Sequence, residues 1–102
     1  MNTEESMSKE LSRAIVVFTD KRGVFFGYPE GSTEGDRIRL RDCRMCVYWS
    51  AATRGAWGLA ATGPADGSRI TKPVPLAEVR GVTAVLNCSD EARRCWEDAP
   101  WG

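Results

Sequence analysis

The stretch "RIRLRDCRMCVYW", residues 37–49, decides how the chain folds. In its first half, Ile38 and Leu40 alternate with arginines along the backbone. Alternation of apolar and polar residues is the two-residue period of a strand with one buried face. We therefore expect Ile38 and Leu40 to face a core while the arginines form an outward row. The row consists of Arg37, Arg39 and Arg41.

Runs of β-branched and aromatic residues, separated by turn signals, predict further strands around this stretch. The predicted strands cover residues 13–20, 24–30, 37–42, 44–50 and 81–87. A tight turn or bulge near Asp42 and Cys43 is expected between the two central strands. Because Lys72 and Val74 each precede a proline, residues 70–76 are expected to be an edge strand or an irregular extended segment.

Two helices complete the predicted order of elements. Residues 51–64 break the strand pattern and contain apolar residues at helical spacing, which favours a short helix that stops at Gly63 and Pro64. Ser89 can cap a terminal helix over residues 90–98, whose first turn is acidic. Its apolar side includes Ala92, Cys95 and Trp96, so we expect Trp96 to anchor the helix to the sheet.

These elements predict an α+β fold that is mostly β. The short consecutive strands favour a small antiparallel sheet curled into an SH3-like or Sm-like, partly open barrel, with a short middle helix and a C-terminal helix. A chain of 102 residues suffices for one small domain. We assign residues 13–102 to that domain and residues 1–12 to a flexible or short helical tail.

No apolar run has transmembrane length, and the first residues lack a signal-peptide pattern. The expected location is therefore the cytoplasm, where thiols stay reduced and no membrane partner is needed. The formal net charge is zero. Residues 37–80 nevertheless hold eight basic and three acidic side chains, which predicts one anion-attracting face unless the charges interleave after folding.

Cys43-x-x-Cys46 is the first candidate for a metal or redox site. Zinc prefers four thiolate or imidazole ligands, but the chain has no histidine and its other cysteines, Cys88 and Cys95, are poorly spaced for a second pair. A redox pair is usually placed at a helix N-terminus, whereas this pair follows a strand pattern. We expect the cysteines to be small buried apolar residues, with no metal and no cofactor.

The lack of histidine also removes the commonest general base, and no paired-carboxylate or phosphate-cradling motif stands out. We therefore expect no catalytic residues and no enzyme. Arginine binds phosphate and carboxylate groups with paired hydrogen bonds, and aromatic side chains beside it can stack on a base. The expected ligand-binding residues are Arg37, Arg39, Arg41, Arg44, Tyr48 and Trp49. Trp57 and Trp101 are expected at a protein interface if they are exposed.

A family resemblance adds to this interpretation. The segments "RIRLRDCRMCVYWSAA", "GLAATGP", "SRITKPVP" and "VLNCSDEA", followed by a tryptophan near the end, resemble in order and spacing a family of small uncharacterised phage and prophage proteins. The likeness covers roughly residues 14–101. Cys88 fits the family pattern, whereas Cys43 stands where alanine is usual and Cys46 is not a family feature. The resemblance implies phage origin and action inside the host cell, and it supplies no catalytic residues.

Taken with that resemblance, the residues favour a phage-encoded, non-enzymatic binding protein. Its expected partner is a host protein or a small anionic nucleotide, so that it inhibits or sequesters a host factor such as a defence protein or a nucleotide signal. A single-stranded nucleic-acid-binding module is the second hypothesis, and a nucleotide hydrolase is the third. Assembly into a homo-oligomer is a further open alternative.

Overall fold

The computed structural model describes residues 13–21 and 23–100, so the predicted tail of residues 1–12 lies outside the described part. In chain order, the strands are β1 Ile15–Thr19, β2 Val24–Pro29, β3 Arg37–Tyr48, β4 Arg69–Ile70, β5 Val74–Arg80 and β6 Val82–Asn87. A 3-10 turn, Ala51–Thr53, and a one-turn helix α1, Gly58–Ala61, follow β3. Helix α2, Asp90–Asp98, follows β6. The fold is a mostly-β domain, as the sequence predicts.

All the strands belong to one antiparallel sheet. Its order is β4-β3-β2-β1-β6, and β5 pairs with β3 beside β4. Only Gly81 separates β5 from β6, although these strands lie at opposite edges. The sheet therefore curls, and the Val82 amide donates to the Asp36 carbonyl at 3.1 Å where the edges approach. The curled sheet is not closed, so the SH3-like or Sm-like barrel is not confirmed.

The central strand β3 is continuous over twelve residues, whereas the sequence predicts two shorter strands. Asp42 lies in the left-handed region at φ 50° and is accommodated as an extra residue opposite β2. The register between β2 and β3 shifts by one there, which is the expected β-bulge. The strand continues beyond the bulge because its pairing with β5 passes Asp42 in an unshifted register, from Arg37 to Cys43.

The strand pattern after residue 64 also differs from the prediction. Residues 70–76 hold parts of two strands, and β5 extends to Arg80, because Gly81 with φ 73° marks the break. A φ of 73° is a backbone conformation that L side chains rarely adopt, so the tight connection favours glycine at this position. The predicted middle helix is reduced to α1 because Arg54 and Gly55 both have left-handed backbones.

Both faces of the sheet are buried over part of their area. We call the face that carries Ile38 and Leu40 the inner face; its core also includes Ile15, Val17 and Val79. The opposite, outer face is covered by α1 and α2. The outer core consists of Ala14, Val16, Val24, Phe26, Cys46, Leu59, Ala60, Ile70, Ala92 and Trp96.

Two sequence predictions about these cores are confirmed. Ile38 and Leu40 are 1% and 0% exposed, while the arginines between them are exposed. Trp96 is fully buried, lies parallel to the Phe26 ring at 5.0 Å, and donates its indole N–H to the Leu59 carbonyl. Ser89 caps α2 by accepting from the Ala92 amide. Within the described ranges, no helix is long and apolar enough to cross a bilayer.

Candidate functional site

The arginine row lies on the outer face of β3, beyond the area that the helices cover. Arg37, Arg39 and Arg41 alternate with Ile38 and Leu40 and are exposed. Across the strand pair, Arg39 is opposite Glu78. Glu78 forms a 2.8 Å ion pair with Arg80, and that bond, with smaller effects of Arg37 and Arg39, lowers the pKa of the Glu78 carboxyl.

Arg44 has a different environment from the row. It is 4% exposed, and its guanidinium donates to the carbonyls of Thr71 at 2.8 Å, Trp96 at 2.5 Å, Glu97 at 3.4 Å and Ala99 at 2.7 Å. These include carbonyls that the end of helix α2 leaves without a helical partner. Arg44 is thus a C-terminal cap that interacts favourably with the helix dipole. Burial lowers its pKa, and within residues 13–21 and 23–100 no carboxylate forms an ion pair with it.

A groove opens where the row meets the end of α2. Its volume is about 670 Å³. Its apolar walls are formed by Phe26 and Tyr28, on the outer face of β2, and by Pro73 and Pro100. Its polar lining residues come from β3 and α2. The groove is lined by Phe26, Tyr28, Arg41, Asp42, Arg44, Pro73, Glu97, Asp98, Ala99 and Pro100. Arg41 therefore belongs both to the row and to the groove.

Tyr28 is one of the groove residues that the predicted ligand-binding set does not include. It pairs with Arg41 across the strands, and its ring meets Phe26 edge-on at 5.8 Å. Its hydroxyl donates to the Glu97 carboxylate. Burial, followed by the Glu97 carboxylate, raises the pKa of Tyr28 to about 12. The signal was present in "VFFGYP", where residues 24, 26 and 28 share one strand face.

The charges of the groove and the row do not cancel. Glu97 is paired with Arg93 at 3.2 Å, and Glu78 is paired with Arg80. The row and the groove, taken with the partners of these two ion pairs, carry six arginines and four carboxylates. The arginines are Arg37, Arg39, Arg41, Arg44, Arg80 and Arg93, and the carboxylates are Asp42, Glu78, Glu97 and Asp98. The surface as a whole is therefore positive, with the excess charge along the row.

The other predicted aromatic partners lie apart from the row. Tyr48 is seven residues along β3 from Arg41, which places it about 23 Å away at the usual rise of a strand. It is 55% exposed. Trp49 is partly buried against the outer core. The structure therefore does not bring Tyr48 and Trp49 together with the row, and Tyr28 takes the position expected of them.

The cysteines of the candidate metal pair point to opposite faces of the sheet. Cys43 lies in the inner core and Cys46 in the outer core, so the two thiols do not converge on one ion. Burial raises the pKa of both thiols to about 11, and it raises the pKa of Cys88 to about 12. In the described residues, no three cysteine or carboxylate side chains are grouped closely enough to hold a metal.

Of the two tryptophans expected at an interface, the structure describes only Trp57. Trp57 is 64% exposed and stacks on Phe18 at 5.8 Å. An exposed, ordered indole is typical of a contact surface. Trp101 lies outside the described residues.

A comparison with protein families identifies the family of this chain. Residues 12–96 match the model of a family described as "Domain of unknown function (DUF6948)". The comparison with curated proteins finds no match. The family match covers both cores, the arginine row and all but the last residues of the groove. The chain belongs to the DUF6948 family.

Proposed function

We propose that the protein is a non-enzymatic binding protein that holds a small anionic ligand with a planar ring, a nucleotide, in the groove beside Arg41. The observation that carries this proposal is the junction of two surfaces. An aromatic and proline-walled groove runs directly into a row of exposed arginines, and Arg41 belongs to both.

The size and lining of the groove support a small ligand. Pockets for small molecules usually have volumes of about 300–1,000 Å³, with mostly apolar walls and a few polar groups that fix orientation. The groove has about 670 Å³. Its apolar walls, Tyr28, Pro73 and Pro100, suit the faces of a ring. Arg41 is placed to meet a negatively charged group at the end of the groove that leads into the row.

Arg44 supports the same function by holding the groove in shape. Its guanidinium fixes the end of α2 against β3, and both of these elements supply residues to the groove lining. The groove is thereby held in shape before any ligand enters, which lowers the entropy cost of binding. In this proposal Arg44 is a positioning residue, whereas Arg41 and Arg39 contact the anion.

The biological role that we propose follows from the resemblance to phage and prophage proteins. The protein is phage-encoded, acts in the host cytoplasm and sequesters an anionic nucleotide signal of the host. A host defence protein is the alternative target, for which the exposed Trp57 offers a contact.

A single-stranded nucleic acid is the second candidate ligand, because the row continues past the groove. From Arg41 to Arg37 the row extends about 13 Å along the strand. A chain of phosphates could follow it while one base stacks on Tyr28. A nucleotide hydrolase is the third candidate, and it predicts turnover rather than stable binding.

Isothermal titration calorimetry with a nucleotide panel tests the proposal. The panel contains nucleoside mono-, di- and triphosphates and cyclic mono- and dinucleotides of the four bases, and single-stranded oligonucleotides of increasing length form a second set. Arg39→Glu and Arg41→Glu reverse charges of the row. Arg69→Glu is the matched control, because Arg69 is an exposed arginine paired with Tyr48 at the far end of β3.

Saturable binding of a nucleotide that both row variants abolish and Arg69→Glu retains is the expected result. Affinity that appears only with oligonucleotides and increases with their length replaces the proposal by the second candidate. Release of phosphate or of a shortened nucleotide replaces it by the third. No binding across both sets overturns the assignment of the groove to an anionic ligand.

A further inference from the structure

Strand β6 forms one edge of the sheet, since it pairs with β1 and with no other strand of the described chain. The Cys88 amide donates to the Ala14 carbonyl at 3.1 Å, in the same register that pairs Leu86 with Val16. In an antiparallel pair, hydrogen-bonded residues alternate. Leu86 and Ala84 therefore direct their backbone groups toward β1, whereas Val85 and Asn87 direct theirs to the free edge.

The two edges of the sheet differ in how well they are protected. Edge strands usually carry charges or prolines that prevent pairing with another strand. Strand β5 has Pro75, Glu78 and Arg80, and Pro73 precedes it. Strand β6, "VTAVLN", contains neither a charged residue nor a proline. The edge formed by β6 is therefore open to another strand from Thr83 to Asn87, whereas Val82 already donates its amide to the Asp36 carbonyl.

An exposed apolar surface lies beside this open edge. Phe18 is opposite Ala84 across the β1–β6 pair, and the Trp57 ring stacks on Phe18. Trp57 is 64% exposed and Val85 is 38% exposed. Trp57 and Val85 lie on different faces of the sheet, because Val85 pairs with Val17 of the inner core. A strand added at β6 would meet apolar side chains on both faces.

We propose that two copies of the chain pair through β6, antiparallel and about a two-fold axis at Val85. In this register Val85 faces Val85 of the second copy, and Ala84 faces Leu86 of the second copy. The outward N–H and C=O groups of each Val85 bond to those of the other. Trp57 of each copy covers the new junction on the outer face, and the two sheets become continuous.

A second copy is the occupant that the charges favour. A two-fold pairing about Val85 places that residue opposite its own symmetry mate and keeps its neighbours on β6 within a few residues of theirs, so a charge at or beside the axis would lie close to a like charge. Because β6 has no charged residue, self-pairing meets no such repulsion. The register at Val85 also opposes β-branched side chains, which form favourable cross-strand pairs.

Sedimentation velocity of the full chain over a wide concentration range tests the proposal. The expected particle has twice the chain mass of 11.2 kDa. Val85→Lys places like charges opposite each other at the axis and is expected to give monomers. Val74→Lys is the matched control, because Val74 is an exposed valine on the β5 edge, and it is expected to remain dimeric.

A second variant separates loss of pairing from loss of folding. Val85→Pro removes an N–H that points away from β1, so it is expected to give monomers with a native circular dichroism spectrum. A wild-type monomer at every concentration overturns the proposal. A monomer that dimerises only after deletion of residues 1–12 also overturns it, since the chain's own N-terminal segment would then cover the edge. Dimers that persist in both Val85 variants place the interface elsewhere and equally overturn it.

Discussion

Replacing Arg44 by methionine tests the role of this residue as the cap of helix α2. Methionine keeps much of the apolar stem but removes the guanidinium, which makes three short hydrogen bonds, to the carbonyls of Thr71, Trp96 and Ala99. Each such bond contributes about 1–1.5 kcal/mol net, and buried carbonyls left without donors cost more. Because methionine is neutral, the variant avoids the free-energy cost of burying a charge, and this gain offsets part of the loss. We expect Arg44→Met to lower the free energy of unfolding by about 3 kcal/mol.

Urea unfolding followed by circular dichroism measures this loss, with the slope of the transition checked for two-state behaviour. Arg39→Met is the matched control, because Arg39 is an exposed arginine on the same strand, and it is expected to change stability by less than about 0.5 kcal/mol. Arg44→Lys keeps a charge but not the planar fork, so an intermediate loss is expected. A loss below about 1 kcal/mol for Arg44→Met would contradict the capping role.

Three further predictions follow from the cores and the groove. Trp96→Ala removes a fully buried indole and is expected to lower the free energy of unfolding in urea by about 3–5 kcal/mol. Trp57→Ala, at an exposed position, is expected to lower it far less, and equal losses would contradict the packing described. The folded-state pKa values of Cys43, Cys46, Cys88 and Tyr28 lie above their ordinary values of 9.0 and 10.0, so the native state keeps these protons to higher pH than the unfolded state. Below about pH 9 these groups are therefore expected to leave the free energy of unfolding unchanged, and above it the free energy of unfolding is expected to fall as pH rises toward their folded pKa values. Urea titrations at several pH values measure this dependence. A rise in the free energy of unfolding between about pH 9 and 10 would refute it. The buried thiols are also expected to react with iodoacetamide at pH 8 much more slowly in the native protein than in urea, as followed by mass spectrometry.

The elements that sequence predicts best are those set by local periodicity. Alternation along residues 37–41 places Ile38 and Leu40 correctly in the core, because a slip of one residue would bury arginines instead. The cap at Ser89 and the burial of Trp96 follow from helical spacing over a few residues. The bulge at Asp42 was also expected, although its effect on the strand was not.

The remaining features depend on contacts between residues distant in the chain. Asp42 interrupts the pattern locally, yet β3 continues because β5, more than thirty residues later, pairs with both halves around the bulge. The extra residue at the bulge shifts the alternation of side chains between the two faces by one position. Arg44 therefore lies on the outer face, where the end of α2 covers it. Nothing in residues 37–49 indicates that a helix ending at Asp98 supplies its hydrogen-bond acceptors.

The candidate site was predicted in part for the same reason. The outward arginine row follows from strand alternation, whereas the groove requires β2, β3 and α2 to meet. Tyr48 and Trp49 are close to the row in sequence, but an extended strand separates neighbours by about 3.3 Å per residue, so they lie far from it. Tyr28 is distant in sequence and adjacent in space, since it is the cross-strand partner of Arg41.

Nuclear magnetic resonance titration of the isotope-labelled chain with the nucleotide panel tests the central claim most directly, because it reports both binding and its location. The claim predicts saturable shifts of the amide signals of Tyr28, Arg41 and Ala99, which line the groove, while the amide of Arg69 stays unchanged. Arg41→Glu is expected to abolish those shifts without altering the spectrum elsewhere. Shifts confined to Tyr48 and Arg69, or no shift with any member of the panel, would contradict the claim that this groove binds a small anionic ligand.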